Sequence, residues 1–298
     1  MVRLALIGGA GVYHCRVFAS LINDYDRAGY TAAKLPHFDT PRLGGMEVVA
    51  IWDPDPALAQ QIATLAHIPD VLGAPSEAIG RVDGVVLCDD VTMAHQKRAR
   101  PFLEAKVPTI IDKPLSPAPA EAAEIIALAR QHGTPMMSCS ALRYSRELQE
   151  ARDQIAALGK IRCATGTAPN ELVFYGIHAL ELVHTILGPG VEWVQNIGDA
   201  ERAYVRCAYP DGTTIMLQVL GPGGWPGMHG SFFGDNGGVH VTVNDGAAYY
   251  GNMLRTFATM AETGEMPIPL DTTLEIIRIL AAGRRSQQQG GTQVAVQS

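Results

Sequence analysis

Two hydrophobic periods alternate along the first half of the chain. Five short, nearly continuous apolar runs have the length of strands buried on both faces: RLALIGG from Arg3, MEVVAIWDPD from Met46, VDGVVLCDD from Val82, PTIID from Pro108 and TPMMSCSA from Thr134. Segments with helical spacing lie between them. VYHCRVFASLI sets Val12, Cys15, Val17, Phe18 and Leu21 broadly on one side, and PALAQQIATLA, AHQKRARPFLEA and PAEAAEIIALARQ continue the series. Strand, helix, strand with short connections predicts a parallel sheet covered on both faces. One connection is long. Residues 23–46 are polar, with Gly and Pro, and read as a flap over a site or a mobile surface loop.

From about Lys160 the period changes to two. KIRCATGT alternates, and ERAYVRCAYPDGTTIMLQVL is two alternating runs about Pro210-Asp211-Gly212, a hairpin signal. GSFFGDNGGVHVTVNDG predicts another strand pair. The helices IHALELVHTIL, ending at Gly188-Pro189-Gly190, and TTLEIIRILAAGRRS interrupt the strands. The expected architecture is therefore α/β followed by α+β: a doubly wound parallel sheet, then a domain with a largely antiparallel open sheet. The boundary is set at 1–115 and 116–298, with the last strand and helix of the first domain extending to about 145.

Composition narrows the partners. The chain has 298 residues, enough for two domains. Its net charge is -7, from 23 basic and 30 acidic residues with no basic block, which argues against nucleic acid or an anionic membrane as partner. Cys15, Cys88, Cys139, Cys163 and Cys207 are isolated, without a CxxC pair, and read as buried free thiols of a reducing cytosol. The N-terminal apolar run is too short for a signal peptide, and no run reaches the roughly 18 apolar residues of a membrane span. A cytoplasmic protein is expected.

The first apolar run ends in ALIGGAGVYH and opens a helix, where a Rossmann fold places a dinucleotide pyrophosphate on free backbone N–H groups. Gly8, Gly9 and Gly11 let the backbone approach it. The spacing departs from GxGxxG, with Ala10 and Tyr13 at the second and third glycine positions. Asp53 ends the second run, where a carboxylate accepts from the adenosine ribose hydroxyls and repels a 2′-phosphate, favouring NAD over NADP. No neighbouring arginine stands ready for a phosphate. Asp53 is also expected to cap the helix starting near Pro54. VLCDDVTMAH brings Asp89, Asp90 and Thr92 to the carboxyl edge of the sheet, beside the nicotinamide.

A Rossmann half, a strand ending in Asp112-Lys113-Pro114, and an antiparallel half with GIHALELV on a helix resemble the Gfo/Idh/MocA oxidoreductases. Their usual EKP is DKP here. Their usual DxGxH is Phe174-Tyr175-Gly176-Ile177-His178, followed by Glu181. IIDKPL, SCSALRY, YGIHALELV and TLEIIRIL resemble one branch whose shortened glycine loop ends in a histidine, here His14. The resemblance covers nearly the whole chain. It implies that Val12, His14, His95, Asp112 and Lys113 join the cofactor site. It makes Lys113 the group that stabilises a substrate alkoxide, with a peptide bond to Pro114 that is commonly cis in the family. His178 becomes the general acid/base. Arg143, Tyr144, Asn170, Tyr175 and Glu181 are candidate substrate contacts, with a structural Arg–acid pair the alternative for Arg143; Trp225 and His229 are further pocket candidates. The family aspartate four residues before the histidine is Phe174, so catalysis runs on Lys113 and His178 or is lost. His178, Glu181 and His184 lack the HExxH spacing, and no metal is expected.

The activity these residues imply is NAD-dependent hydride transfer at a secondary alcohol of a sugar, inositol or related polyol. The alternatives are a redox-neutral elimination or epimerisation with tightly held NAD, and an inactive protein that binds NAD or a sugar. The resemblance implies a homodimer or homotetramer through the open face of the second sheet.

Overall fold

The computed structural model describes residues 1–89, 91–225 and 227–296. The chain folds as two compact units. The first comprises Met1–Ser116, Ala120–Ser138 and Tyr250–Leu270, and the second Pro117–Pro119, Cys139–Tyr249 and Asp271–Ser298. No helix among the described residues is long and apolar enough to cross a membrane.

The first unit runs β1 (Val2–Ile7), α1 (Tyr13–Ile22), α2 (Arg27–Ala32), β2 (Met46–Trp52), α3 (Pro56–Leu65), β3 (Asp70–Val71), β4 (Gly84–Leu87), α4 (His95–Glu104), β5 (Thr109–Ile111), α5 (Pro119–His132) and β6 (Met136–Met137). The six strands are all parallel, in the order β3-β2-β1-β4-β5-β6. Strand order reverses between β1 and β4, and the crevice at their carboxyl ends is where open α/β sheets take ligands. Ala5, Ile7, Ala50, Val85, Phe102 and Val107 form one buried cluster that packs α4 against the sheet. The five apolar runs became β1, β2, β4, β5 and β6. The two-residue β3 is too short to register as a period.

Two expectations are corrected here. Residues 23–46 are not a loose flap. Asp26 caps α2 by accepting from Gly29 N–H at 3.0 Å, and Tyr30 is fully buried with its ring 5.0 Å from that of Tyr25 and 5.8 Å from that of His37. The three aromatic rings pack together, and Leu35 and Leu43 of the same segment are buried. Asp53, second, does not cap the following helix. That role belongs to Asp55, which accepts from Ala57 N–H at 2.9 Å, with α3 starting at Pro56.

The second unit contains α6 (Arg146–Ala156), β7 (Ile161–Ala168), α7 (Gly176–Leu187), β8 (Trp193–Asn196), β9 (Ala203–Ala208), β10 (Thr214–Val219), β11 (Met228–Gly234) and β12 (Gly237–Val243). After it the chain forms α8 (Gly246–Thr263), α9 (Leu270–Gln288) and β13 (Val294–Ala295). The seven strands lie in the order β12-β11-β7-β10-β9-β8-β13. Only β7 and β10 pair in parallel among the described strands. β9 and β10 form the hairpin expected about Pro210-Asp211-Gly212, and β11 and β12 the second pair. α7 lies across β7 so closely that a Cβ at Gly166 would meet the Ala179 carbonyl oxygen at 2.5 Å. This contact sets the height of α7, and with it His178 and Glu181, above the sheet.

Most of α8 belongs to the first unit although it lies far along the chain. Phe257 is fully buried beside Gly84 of β4, and Leu254 and Met260 are buried with it. Truncating such a ring leaves a cavity that costs about 3–5 kcal/mol. Phe257→Ala is therefore expected to lower unfolding stability by that amount in urea titrations followed by circular dichroism. A loss below about 1 kcal/mol would mean that α8 is not integral to the first unit.

Candidate active site

The glycine loop joins β1 to α1. Gly8 and Gly9 have φ of +74° and +72°, and a Cβ at Gly9 would meet the Cys88 carbonyl oxygen at 2.3 Å. Only glycine satisfies both constraints there. Val12 N–H donates to the Gly9 carbonyl at 2.9 Å and closes the turn; Gly11 is solvent-exposed. The Ala10 peptide is pinned at both ends. Its N–H donates to Asp53 Oδ2 at 2.8 Å, and its carbonyl accepts from Arg16 Nε at 3.0 Å. Asp53 is buried, and its Oδ1 accepts from Asp55 N–H at 2.9 Å. A close backbone turn, free of side chains at Gly8 and Gly9 and opening a ten-residue helix, fits a pyrophosphate.

Two arginines stand beside this loop, and each is bonded to a group of the protein. Arg16 bonds Ala10 as described. Arg98, on α4, lies over the Trp52 ring at 5.6 Å, and its guanidinium would meet a Cβ at Gly8. Arg98 pairs with Asp89, and both side chains are largely buried. Asp89 also accepts from the Thr92 hydroxyl, and from its N–H at 3.0 Å. Burial pushes the Asp89 carboxyl up, but the Thr92 hydrogen bonds and the Arg98 charge outweigh it and hold it below its ordinary value. Asp89 and Thr92 thus bond each other. Asp90 lies outside the described residues. His95 is fully buried between two carbonyl oxygens, Leu115 at 3.0 Å from Nδ1 and Asp89 at 2.7 Å from Nε2.

β5 ends at Ile111, and Asp112, Lys113 and Pro114 follow, with a cis bond to the proline. His14 Nδ1 and Asp112 Oδ2 are 2.5 Å apart. His14 Nε2 meets the Tyr250 hydroxyl at 3.0 Å, and the His14 ring stacks on Phe18 at 5.5 Å. The second Asp112 oxygen accepts from Lys113 N–H at 2.8 Å. Burial pushes the Asp112 carboxyl up. The charge and hydrogen bond of His14, with the charge and N–H of Lys113, overcome this and bring it down to about 2. Lys113 itself is 6% exposed.

In the second unit, three residues of α7 each find a partner outside the helix. His178 Nδ1 meets Ser140 Oγ at 2.7 Å, and Tyr175 packs edge-on against the His178 ring, with centroids 6.1 Å apart. Glu181 is buried; it accepts from Arg143 Nη1 at 3.1 Å and from Ser140 N–H at 2.9 Å. Burial pushes the Glu181 carboxyl up, and Arg143 and the Ser140 N–H offset this only in part. His184 Nε2 lies 3.6 Å from Glu275. No group of metal-ligating side chains gathers among the described residues. Tyr144 is half-buried, and burial raises its phenol. Asn170 is held at φ +55°, with its N–H on the Gly221 carbonyl at 2.9 Å. Phe174 N–H donates to Glu171 at 2.6 Å. Trp225 is exposed, and His229 bonds Thr242 at 3.1 Å.

Arg16, Arg98, Ser140 and Tyr250 escaped the sequence reading. Ser140 and Tyr250 matter through partners 38 and 236 residues away, and Arg16 and Arg98 through partners 6 and 9 residues away that no motif marks. SCSALRY carries Ser140 and was noticed only as a whole.

Residues 2–139 match the model of a family described as "Oxidoreductase family, NAD-binding Rossmann fold". No curated protein matches the sequence significantly. Many solved structures share the fold. A scyllo-inositol dehydrogenase from Lactobacillus casei aligns with a TM-score of 0.82 and 13% identity over 100% of this chain and 99% of its own. A myo-inositol dehydrogenase from the same organism, in complex with NAD(H) and myo-inositol, aligns at 0.81 and 16% over 100% and 97%. A myo-inositol dehydrogenase from Corynebacterium glutamicum aligns at 0.80 and 17% over 100% and 99%.

The His14–Asp112 pair makes stability depend on pH. The Asp112 carboxyl sits at about 2 in the folded chain and near its ordinary 3.8 when unfolded. Between those values the unfolded chain binds more protons, so stability rises with pH. The stabilisation, about 2 kcal/mol, is complete above roughly pH 5 and is lost as pH falls through about 2. Asp112→Asn is expected to flatten the wild-type fall in unfolding free energy between pH 5 and pH 2, measured by urea titration at each pH. Parallel curves for the two proteins would refute the assignment.

Proposed function

We propose that this chain, which belongs to the Gfo/Idh/MocA oxidoreductase family through residues 2–139, is an NAD-dependent dehydrogenase acting on a secondary alcohol of a sugar, inositol or related polyol. The observation that carries the proposal is Lys113. Lys113 is buried at the carboxyl end of a parallel sheet, where open α/β folds take ligands, and its side chain suits an oxygen that becomes negative. The three aligned structures named as inositol dehydrogenases support a polyhydroxylated ring as the substrate class.

When bound, the nicotinamide supplies the hydride acceptor or donor. The chain's own residues do the rest. The loop of Gly8, Gly9, Gly11 and Val12 holds the pyrophosphate on backbone N–H groups at the start of α1. Asp53, compensated only by backbone N–H groups, accepts from the adenosine ribose hydroxyls and disfavours a 2′-phosphate, which supports NAD over NADP. Asp89, paired with Arg98, and Thr92 with His95 shape the region taken by the nicotinamide. Lys113 hydrogen-bonds the reacting hydroxyl and stabilises the alkoxide as hydride leaves its carbon. In the second unit, His178 serves as the general acid/base. Tyr144, Asn170 and Tyr175 orient the remaining hydroxyls, while Arg143 and Glu181 satisfy each other and hold α7 in place. The open face of the second sheet, with Tyr204, Arg206, Met216 and Phe233, is covered by a second copy of the chain, giving a dimer or tetramer in the cytosol.

NADH is expected to enhance its own fluorescence on titration into nucleotide-free protein, with NAD displacing it far better than NADP. In a polyol screen, Lys113→Ala and His178→Ala are each expected to lower kcat by about 100-fold or more with the fold intact. Failure of nucleotide-free protein to bind NADH would replace the dehydrogenase with a sugar-binding protein, and near-normal turnover in both variants would refute the two roles.

A further inference from the structure

We infer that Ser140 sets the tautomer of His178, keeping Nδ1 as a hydrogen-bond acceptor and the proton of the neutral ring on Nε2. Ser140 is fully buried. Its Oγ accepts from Leu142 N–H at 3.2 Å and lies 2.7 Å from His178 Nδ1. Leu142 N–H can only donate, so the hydroxyl proton of Ser140 has one acceptor within reach among the described residues, and it is Nδ1. If Nδ1 carried the proton instead, both hydrogens would point at one oxygen and the buried hydroxyl proton would have no acceptor. Leaving such a donor unmatched biases the equilibrium about tenfold or more toward the Nε2–H form.

Ser140 is itself held in place. Its backbone N–H donates to Glu181 Oε1 at 2.9 Å, and its carbonyl accepts from Arg143 N–H at 3.3 Å. The Glu181–Arg143 pair and Ser140 thus form one buried frame around Nδ1. A carboxylate in the place of Ser140 would accept a hydrogen bond from Nδ1–H and leave Nε2 as a base. A hydroxyl does the opposite, and the ring offers an N–H to an oxygen lone pair.

The substrate consequence rests on the dehydrogenase reading. A neutral Nε2–H ring recognises the carbonyl form of the substrate and polarises it, as a fixed donor. The Nε2–H of that ring is also the proton that His178 would give up as the acid of the reduction. Ser140 is a positioning residue.

The test is 15N NMR of protein labelled at the histidine ring nitrogens, with His178 assigned by loss of its signals in His178→Gln. At a pH where the ring is neutral, Nδ1 is expected to show the shift of an unprotonated ring nitrogen and Nε2 that of a protonated one. Ser140→Ala is expected to shift the two signals toward equal protonation while circular dichroism stays that of wild type. The reverse pattern in wild type, or an unchanged pattern in a folded Ser140→Ala, would overturn the inference. The readout needs neither substrate nor cofactor, so it stands apart from the NADH titration that tests the dehydrogenase.

Discussion

The contact between His14 and Asp112 is the constraint from which much of the first unit follows. It joins the start of α1 to the end of β5, and Tyr250 on the far side of the imidazole brings in α8. Three segments separated by about a hundred residues or more therefore meet at one ring. A buried carboxylate without partners would cost several kcal/mol, and removing one partner of such a pair typically costs about 3–5 kcal/mol. The pair can exist only if the loop, the strand end and the returning helix are all in register. It also explains why β5, apolar throughout, ends in charge. Asp112 is satisfied by His14 and by Lys113 N–H, so the strand can deliver a lysine at its end without leaving a carboxylate unmet.

The same economy governs the rest of that sheet edge. Asp53, Asp89 and Asp112 follow β2, β4 and β5, and each is held by a different kind of partner. Three bare carboxylates would repel any anionic ligand. Arg98 neutralises Asp89, and His14 shields Asp112. Asp53 accepts from the backbone N–H groups of Ala10 and Asp55.

Where the chain repeats a period, the fold could be read from it. The apolar runs gave five of the six strands of the first sheet, and the Pro210-Asp211-Gly212 hairpin was plain. What escaped is non-local. α2 is six residues long and owes its place to Tyr25, Tyr30 and His37, which look like scattered aromatics in a polar stretch. Nothing in the sequence of α8 says that its apolar face belongs to the first sheet and not to the strands just before it. Asp53 and Asp55 are both acids before a helix, and only the backbone direction decides which one caps it. At the candidate site, Lys113 and His178 stood out because their neighbours form a motif. Ser140 and Arg98 did not, because their partners lie 38 and 9 residues away in sequence.

The substitution at Phe174 shows how a site can change character without losing its geometry. The family that the sequence resembles places an aspartate four residues before the histidine, and the phenylalanine here cannot replace its charge. Ser140 supplies a hydrogen bond to the ring from another segment, at the same cost in ordering, but it is neutral. A neutral partner orients an imidazole without stabilising the imidazolium, whereas a carboxylate does both. Orientation is therefore preserved while the drive to take up a proton is not.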